Sequence, residues 1–431
     1  MLVLCLCGAC ALLEGLDAQI IGFLAPAIIH DWGIVRQDFT PVFMSGLVGL
    51  LIGCLLIAPL ADKVGRKAVL VCSVTAFAIF SFLSATAESL SSLAAFRFLT
   101  GVGIGGGMAN AITLTSEYFP ERHRAGMTVI MFVGFSFGAS LGGFLSAYLI
   151  PQFGWQSVFI AGGIFPLVLA VLLVFELPES IRHLVVHQAP TEAVVGILQR
   201  INPSVAFPEG TIFATTEEHR AGLTVRHLLK EGRAFGTLLL WTIFFMSLLD
   251  IYLLASWLPV VLHDAGLSVS MSAVVTSMLH FGGVFVCVAI TPVLARHGCL
   301  VVMLPSYILA AIGIAALGSV GTGAVLLMAT ALVTGIGIVC GQNTANAFAA
   351  AYYPTYIRAT GVGWALGVGR IGAIIGPAIG GVMLALQLSR QTLLLATAVP
   401  ELIAVAAILV LMRLERVKRA PRPQQRISAV A

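Results

Sequence analysis

Twelve apolar runs, each about 20 residues or longer, divide this chain of 431 residues. An α-helix of about 20 apolar residues crosses the hydrocarbon core of a bilayer, so each run predicts one membrane span. Composition agrees, because 59% of the residues are hydrophobic and only 10% are charged, against about 25% charged in soluble domains. We predict an all-α polytopic membrane protein with spans near residues 2–28, 40–61, 68–87, 92–114, 127–149, 157–176, 237–262, 271–294, 300–319, 323–348, 361–386 and 391–412.

The same composition argues against several classes of function. The net charge of +4 is modest and no basic stripe alternates with exposed aromatic residues, so nucleic acid is not an expected partner. Cys5, Cys7 and Cys10 form a CxCxxC pattern, but it lies inside an apolar run without polar ligands nearby. We therefore expect no metal and no cofactor. The first run lacks the basic lead-in of a signal peptide, so we expect no cleavable signal and a short polar segment before this run in the full-length protein.

The basic residues favour one side of the membrane. Nineteen of the 23 Lys and Arg residues fall in the tail and in alternate loops, including the central polar stretch 177–236, whereas the opposite loops hold only Arg36 and Arg390. Basic loops stay in the cytoplasm. We predict a multi-pass protein of the cell inner membrane with both termini and the central loop in the cytoplasm.

A shift of 234 residues aligns the second half of the sequence with the first. Gly101 then matches Gly335, and the P-x-x-x-R-A motif at Pro120 matches the copy at Pro354. One register over two spans indicates two homologous six-helix halves, and in repeat proteins of this kind a solute site lies near the bilayer midplane between the halves. We predict two pseudo-symmetric six-helix bundles, 1–176 and 237–412, a cytoplasmic central loop, 177–236, and a basic cytoplasmic tail, 413–431.

The segment GCLLIAPLADKVGRK runs from the end of span 2 through a tight turn to span 3. Asp62 can accept hydrogen bonds from a helix N-terminus, and Arg66 and Lys67 can pair with acids on the other bundle. A basic flank alone would not explain Asp62 or Gly65. We therefore predict that this segment gates the cytoplasmic end.

Two acids interrupt span 1, which reads ALLEGLDAQIIGFLAPAI. Glu14 and Asp17 are three residues apart and share one helix face. Each costs about 2.5–3.5 kcal/mol at bilayer depth unless it is paired or faces a polar cavity. A structural ion pair would account for one acid, but no base is adjacent in sequence. We predict a proton-binding or solute-facing role for both.

These segments resemble a known family. GCLLIAPLADKVGRK is similar to the loop 2–3 signature of the major facilitator superfamily, and RFLTGVG resembles its span-4 motif. Within that superfamily, the span-1 segment is similar to the DGxD motif of the aromatic acid:proton symporters, with Glu14 where most members carry Asp. LPESIRHLVV, SEYFPERHRAG, YLLASWLPVVL and YYPTYIRATGVGWALGVGRIGAIIGP extend the resemblance over nearly the whole chain.

The resemblance implies a symporter that imports an aromatic carboxylate, such as 4-hydroxybenzoate or protocatechuate, with protons by alternating access. Its partners would be this anion, protons and the lipid bilayer, and we expect a functional monomer. A transporter of another organic anion or of a sugar is the main alternative. A membrane sensor is a weaker one, because no sizeable output domain follows span 12. An enzyme is not expected, since no HExxH or GxSxG motif is present.

Two arginines inside spans are candidates for binding the anion. Arg370 lies among Gly367, Gly369 and Gly372, and its guanidinium can bind a carboxylate through two parallel hydrogen bonds. A salt bridge to a buried acid is the alternative for Arg370. Arg97 of span 4 is the second candidate, and it could instead organise an acid such as Glu14, Asp17 or Glu117.

Other polar residues within the spans complete the predicted substrate site. Amides can bind ring hydroxyls, although polar contacts between helices explain them equally well. Carboxyl, phenol and imidazole groups of spans 7 and 8 can line the C-terminal wall. The candidates are Asn110, Gln342, Asn343, Asp250, Tyr252 and His280.

Glu117, Arg124 and Arg358 lie at the predicted cytoplasmic ends of spans 4, 5 and 11. Charge pairs there can close an inner gate and exchange partners, and solvated flanks are the alternative. The repeat of P-x-x-x-R-A favours a gating role for all three.

Overall fold

A computed structural model of the chain describes residues 1–119, 121–201, 228–230, 232–354 and 357–419, with isolated positions 207, 208, 211 and 213. Twelve long helices account for most of this part. They are α1 (Leu2–Trp32), α2 (Thr40 to Val64), α3 (Arg66–Ser84), α4 (Leu90–Tyr118), α5 (Glu121–Phe153), α6 (Gln156–Glu176), α7 (Ala234–Asp264), α8 (Val269–His297), α9 (Cys299–Ser319), α10 (Ala324–Tyr352), α11 (Arg358–Ala385) and α12 (Arg390–Arg419). Between α6 and α7, Ile181–Val186 and Thr191–Ile201 form short helices.

Ten of these helices are long and apolar enough, by length and composition, to cross a membrane. The other two are α4 and α8. Both are 29 residues long. Glycines and Arg97 lower the hydropathy of α4, and the described part of α8 contains the shorter apolar stretch Val269–Val284. The predicted twelve spans therefore correspond to twelve helices, one helix for each span. The division of the chain at residues 176 and 237 stays a prediction.

Two helices, α12 and α2, differ from the predicted spans. α12 continues to Arg419, into the segment predicted as a tail from residue 413, because no proline or glycine lies between Pro400 and Pro421. α2 is not uniform: α-helix over Thr40–Ile52 changes to a π turn over Gly53–Ile57, a 3-10 turn over Ala58–Leu60 and a last α turn over Ala61–Val64. Irregular turns inside a helix often mark a functional hinge or local strain.

Glycines allow the crowding of α2 by α4. A Cβ added at Gly49 would overlap the carbonyl oxygen of Phe98, and one added at Gly105 would overlap that of Leu50. The glycines of α4 also satisfy the spacing GxGxxG, but here they bring helix backbones together. They are packing residues, as small residues are in membrane helices generally.

The same pairs of helices pack in both halves of the chain. In the N-terminal half α1 packs on α5, α2 on α4, and α3 on α4 and α6; in the C-terminal half α7 packs on α11, α8 on α10, and α9 on α10 and α12. Across the halves α1 meets α7, α2 meets α11 and α5 meets α8. Equivalent helices of the two halves make equivalent contacts, so the chain forms two pseudo-symmetric six-helix bundles.

Glycines also bring α1 and α5, and α7 and α11, into backbone contact within their bundles. A Cβ added at Gly15 of α1 would overlap the carbonyl oxygen of Phe135 in α5, and one added at Gly372 of α11 would overlap that of Phe245 in α7. Gly15 lies between the two acids of span 1, so α1 is held tightly at the turn that carries them.

Candidate functional site

Asp17 and Arg97 form a buried ion pair. Arg97 Nη2 donates to Asp17 Oδ2 at 2.9 Å and to the Asp17 carbonyl at 2.9 Å, and Nη1 donates to Oδ1 at 3.3 Å. Ser81 Oγ of α3 donates to Oδ1 at 2.6 Å. Both charged side chains are almost fully buried, with 3% of Arg97 and none of Asp17 exposed. The charge of Asp17 is therefore compensated within the N-terminal half.

A structural ion pair was the alternative considered for one acid of span 1, and Asp17 makes such a pair. No base is near Asp17 in sequence, but Arg97 of α4 supplies one in space. Of the two roles considered for Arg97, the one observed here is the organisation of Asp17, with the ring of Phe159 packed 5.7 Å from the guanidinium carbon.

Glu14, one turn before Asp17, has the opposite environment. Its side chain is fully buried, and in the described part of the chain neither carboxyl oxygen meets a hydrogen-bond donor. A Cβ added at Gly107 of α4 would lie 2.5 Å from Glu14 Oε1, so the carboxyl group is seated against a glycine. Keeping an uncompensated carboxylate there costs several kcal/mol. A proton on Glu14 removes that cost.

Arg370 connects the two bundles at the level of Glu14. From α11, its Nη1 donates to Tyr252 Oη at 3.3 Å, and its Nη2 lies 3.8 Å from Met108 Sδ in α4. Met108 follows Gly107, the residue against which Glu14 packs. No carboxylate among the described residues lies within ion-pairing distance of the guanidinium, so the alternative of an internal salt bridge is not realised here.

The other predicted substrate contacts are dispersed. Asn110 Nδ2 donates to the Gly106 carbonyl of its own helix at 2.8 Å. Gln342 Nε2 lies 3.4 Å from Asn346 Oδ1, whereas Gln342 Oε1 and His280 Nε2 are buried and meet no donor or acceptor among the described residues. Asn343 lies in α10 and makes an interaction of its own.

Asp250 lies away from this group. It is fully buried in the C-terminal bundle, where its carboxyl group faces Glu401 of α12. The structure thus brings Tyr252 to Arg370 but does not bring Asp250 to them.

At the end of the molecule that carries loop 2–3, Glu179 caps α3. Its Oε1 accepts the backbone N–H groups of Arg66 at 2.9 Å and Lys67 at 3.1 Å. The sequence suggested that Asp62 accepts hydrogen bonds from a helix N-terminus; among the described contacts Asp62 binds Arg66 Nη2 at 2.9 Å instead. The signal that could have identified Glu179 is its place in LPESIRHLVV, directly after span 6.

The same end holds further contacts to Arg66 and Lys67. Arg66 Nη2 lies 3.5 Å from Glu117 Oε1. The other carboxylate oxygen of Glu117, Oε2, accepts a hydrogen bond from Ser180 Oγ. Lys67 Nζ donates to the Val174 carbonyl at 2.8 Å. All of these partners belong to the N-terminal half or to the segment that follows it. Pairing with acids of the other bundle, as predicted for Arg66 and Lys67, does not occur among the described contacts.

Gly65 makes this arrangement possible. Its φ of +105° lies in the region that favours glycine, and a Cβ there would overlap Glu179 Oε2. His183 completes the group, with Nδ1 3.4 Å from Arg66 Nη1. Burial lowers the pKa of His183, and the neighbouring His187 and Arg66 lower it further.

The two remaining gating candidates are less informative. The side chain of Arg124 falls outside the described residues. Arg358 begins α11, and its Nε lies 3.4 Å from the Tyr353 carbonyl.

At the opposite end, contacts join the two bundles. Arg36 Nη2 pairs with Asp264 Oδ1 at 2.9 Å, and Phe43 packs edge-on against Trp257 with ring centroids 4.9 Å apart. Sequence reasoning missed this pair, because Arg36 lies in the 3-10 turn before α2 and Asp264 ends α7 in the other half, with no shared motif.

Comparisons with known proteins agree with the fold and indicate a family. The model of the Major Facilitator Superfamily matches residues 7–377 and 293–430. A gallate transporter of Pseudomonas putida is 42% identical over 95% of this chain and 91% of its own length. A 4-hydroxybenzoate transporter of Pseudomonas aeruginosa is 42% identical over 94% of this chain and 91% of its own. The solved structure of a D-xylose-proton symporter has a TM-score of 0.72 at 16% identity and covers 95% of this chain and 96% of that one.

Proposed function

The chain belongs to the major facilitator superfamily, among its transporters of aromatic carboxylates, and from that premise we propose that it imports a 4-hydroxybenzoate- or protocatechuate-like anion together with protons. It is a transporter rather than an enzyme, as its family and relatives are. The proposal includes a cell inner-membrane location, cytoplasmic termini and a functional monomer.

The observation that carries the proposal is the uncompensated guanidinium of Arg370 between the bundles. An anion with a planar carboxylate can accept two parallel hydrogen bonds from it. Tyr252, already in contact with Nη1, would orient the bound carboxylate, and Met108 would lie beside the aromatic ring.

Glu14 is the proposed proton carrier. Because it is buried without a donor or a cation partner, its charge must be neutralised whenever the N-terminal bundle adopts this packing. Asp17, in contrast, is neutralised by Arg97, and its proposed part in coupling is to hold that pair. With one proton and one monoanion per cycle no net charge moves, so a pH gradient alone would drive uptake.

Alternating access would follow from rocking of one bundle against the other. The described contacts across the bundles at the outer end, Arg36 with Asp264 and Phe43 with Trp257, would separate. The residues around Glu179 at the other end would then approach the C-terminal bundle, with Arg66, Arg124 and Arg358 exchanging acidic partners.

One assay tests both the anion site and the proton site. Purified protein is reconstituted in liposomes, and uptake and exchange of labelled 4-hydroxybenzoate are measured with and without an inward pH gradient. Truncating one partner of a buried charge pair costs about 2–5 kcal/mol, so Arg370→Gln should weaken binding roughly thirty-fold or more. The neutral 4-hydroxybenzamide should then compete as well as the acid. Arg413→Gln, at an exposed position of α12, is the matched control.

Glu14→Gln should keep exchange and show weaker uphill uptake, because one proton carrier is lost. Undiminished uphill uptake by this variant would remove Glu14 as proton carrier. Unchanged discrimination between acid and amide in Arg370→Gln would remove Arg370 from the carboxylate site.

A further inference from the structure

Asp250 of α7 and Glu401 of α12 bring two carboxyl groups together in the middle of the C-terminal bundle. Both side chains are fully buried, and the two groups lie within hydrogen-bonding reach of each other. None of their four oxygens meets a donor elsewhere in the described chain. Among the described residues, no basic side chain interacts electrostatically with either carboxyl group, and each carboxyl group interacts with the other.

Two adjacent carboxylates cannot both stay ionised in a low-dielectric interior, because repulsion adds to the cost of desolvation. Without a base to compensate them, the arrangement requires a proton between the two oxygens that face each other. Carboxyl pairs of this kind share one proton and titrate as a unit.

Two hydroxyl groups extend this site. Ser247 of α7 and Tyr307 of α9 are fully buried, and neither hydroxyl makes a hydrogen bond of normal geometry with a described residue. The two hydroxyl groups lie near one another, and Tyr307 is close enough to Glu401 for an electrostatic interaction. Unpartnered hydroxyls beside a carboxyl pair can donate to it or relay its proton.

The position on α7 connects the pair to the anion site. Asp250 and Tyr252 are two residues apart and so lie on nearly opposite faces of one helix, with Tyr252 in contact with Arg370. Other titratable groups near the pair are Tyr307 and, beyond it, Cys340 of α10. His280 of α8 lines a small cavity beside residues 251 and 254.

We propose that Asp250 and Glu401 form a second proton-binding site, which holds one shared proton and exchanges it in each transport cycle. This inference rests on the proposed symport and deepens it. Glu14 and the carboxyl pair would each carry one proton with one monoanion, so one net positive charge would enter per cycle. Uptake would then respond to the membrane potential as well as to the pH gradient.

The test is accumulation of labelled 4-hydroxybenzoate in proteoliposomes under an inside-negative potassium diffusion potential without a pH gradient. One charge moving through about 100 mV supports about fifty-fold accumulation. We expect the wild-type protein to approach this limit. The double variant Asp250→Asn, Glu401→Gln keeps the shape of the pair but holds no titratable proton. It should lose the response to potential while retaining exchange and accumulation driven by a pH gradient.

Glu192→Gln is the matched control, since it replaces an exposed carboxyl group in the short helix Thr191–Ile201, and it should keep the response to potential. A double variant that responds to potential like the wild type would overturn the proposal. So would a double variant without exchange, because the pair would then serve folding or substrate binding. If a pH gradient does not drive the wild type, the proposed symport fails. If it does but the potential has no effect, only the second site fails.

Discussion

Replacing Asp17 by Asn would remove one partner of a buried ion pair and leave the guanidinium of Arg97 uncompensated. Both side chains are withdrawn from solvent, with 3% of Arg97 and none of Asp17 exposed. Breaking such a pair from one side costs about 3–5 kcal/mol, because the remaining charge stays buried. We therefore expect Asp17→Asn and Arg97→Gln each to destabilise the N-terminal bundle by about this amount.

The double variant Asp17→Asn, Arg97→Gln should be more stable than the sum of the single changes predicts. Two amides of similar size can hydrogen-bond to each other and to Ser81, and no charge is left buried. Contacting residues of this kind give coupling free energies of about 0.5–3 kcal/mol, and a fully buried pair should lie at the upper end.

The assay is the apparent melting temperature of the purified protein in detergent, followed by tryptophan fluorescence. A loss of about 3 kcal/mol corresponds to roughly 6 °C or more for a domain of 150–250 residues, and the double variant should recover a large part of it. Transport then separates a structural role of the Asp17–Arg97 pair from a role in coupling. A stable double variant that exchanges 4-hydroxybenzoate but does not accumulate it assigns the pair to proton coupling. Strict additivity of the two single changes in melting temperature would refute the ion-pair reasoning.

Two further predictions concern the end of the molecule that carries loop 2–3. Gly65→Ala should lower the melting temperature and the uptake rate more than Gly298→Ala does. Both glycines have positive φ, 105° and 82°, but only at Gly65 would a Cβ overlap the capping carboxylate of Glu179. Equal effects of the two substitutions would show that this overlap has no consequence. Because the pKa of His183 is lowered in the packed structure, an opened form of this end binds the proton more strongly. The stability of the packed form should therefore fall as the pH drops below about 6.5. His183→Gln should flatten the dependence of melting temperature on pH in that range, and an unaltered profile would show that His183 does not set it.

The spans and their order could be predicted from the sequence, because lipid allows few alternatives to long apolar helices. Repeated glycines at a shift of 234 residues also indicated two bundles. What the sequence did not reveal was which polar groups meet. Arg97 reaches Asp17 across 80 positions of sequence, and a pattern of one helix carries no information about the side chain that faces it from another.

The same limit explains the assignments that changed. The cap of α3 was not predicted, because Glu179 lies 113 positions from Arg66 in the sequence. Glu401 had no sequence explanation at all. Its partner Asp250 was grouped with the predicted substrate contacts because Tyr252 is only two residues away. Residues two apart point to nearly opposite faces of a helix, and only Tyr252 contacts Arg370. The carboxylate-binding role of Arg370 stays a prediction, and the structure adds that no described carboxylate pairs with its guanidinium.

The backbone contacts at Gly15, Gly138 and Gly372 divide the molecule into stiff and compliant parts. Where two backbones touch directly, no side-chain rotamers remain to rearrange, so the helices of such a pair keep one relative position. Rearrangement must fall instead on seams filled by adaptable side chains, such as Phe43 against Trp257. Substitutions accumulated in evolution or introduced by design should therefore alter transport rate at the seams and prevent assembly at the glycine contacts.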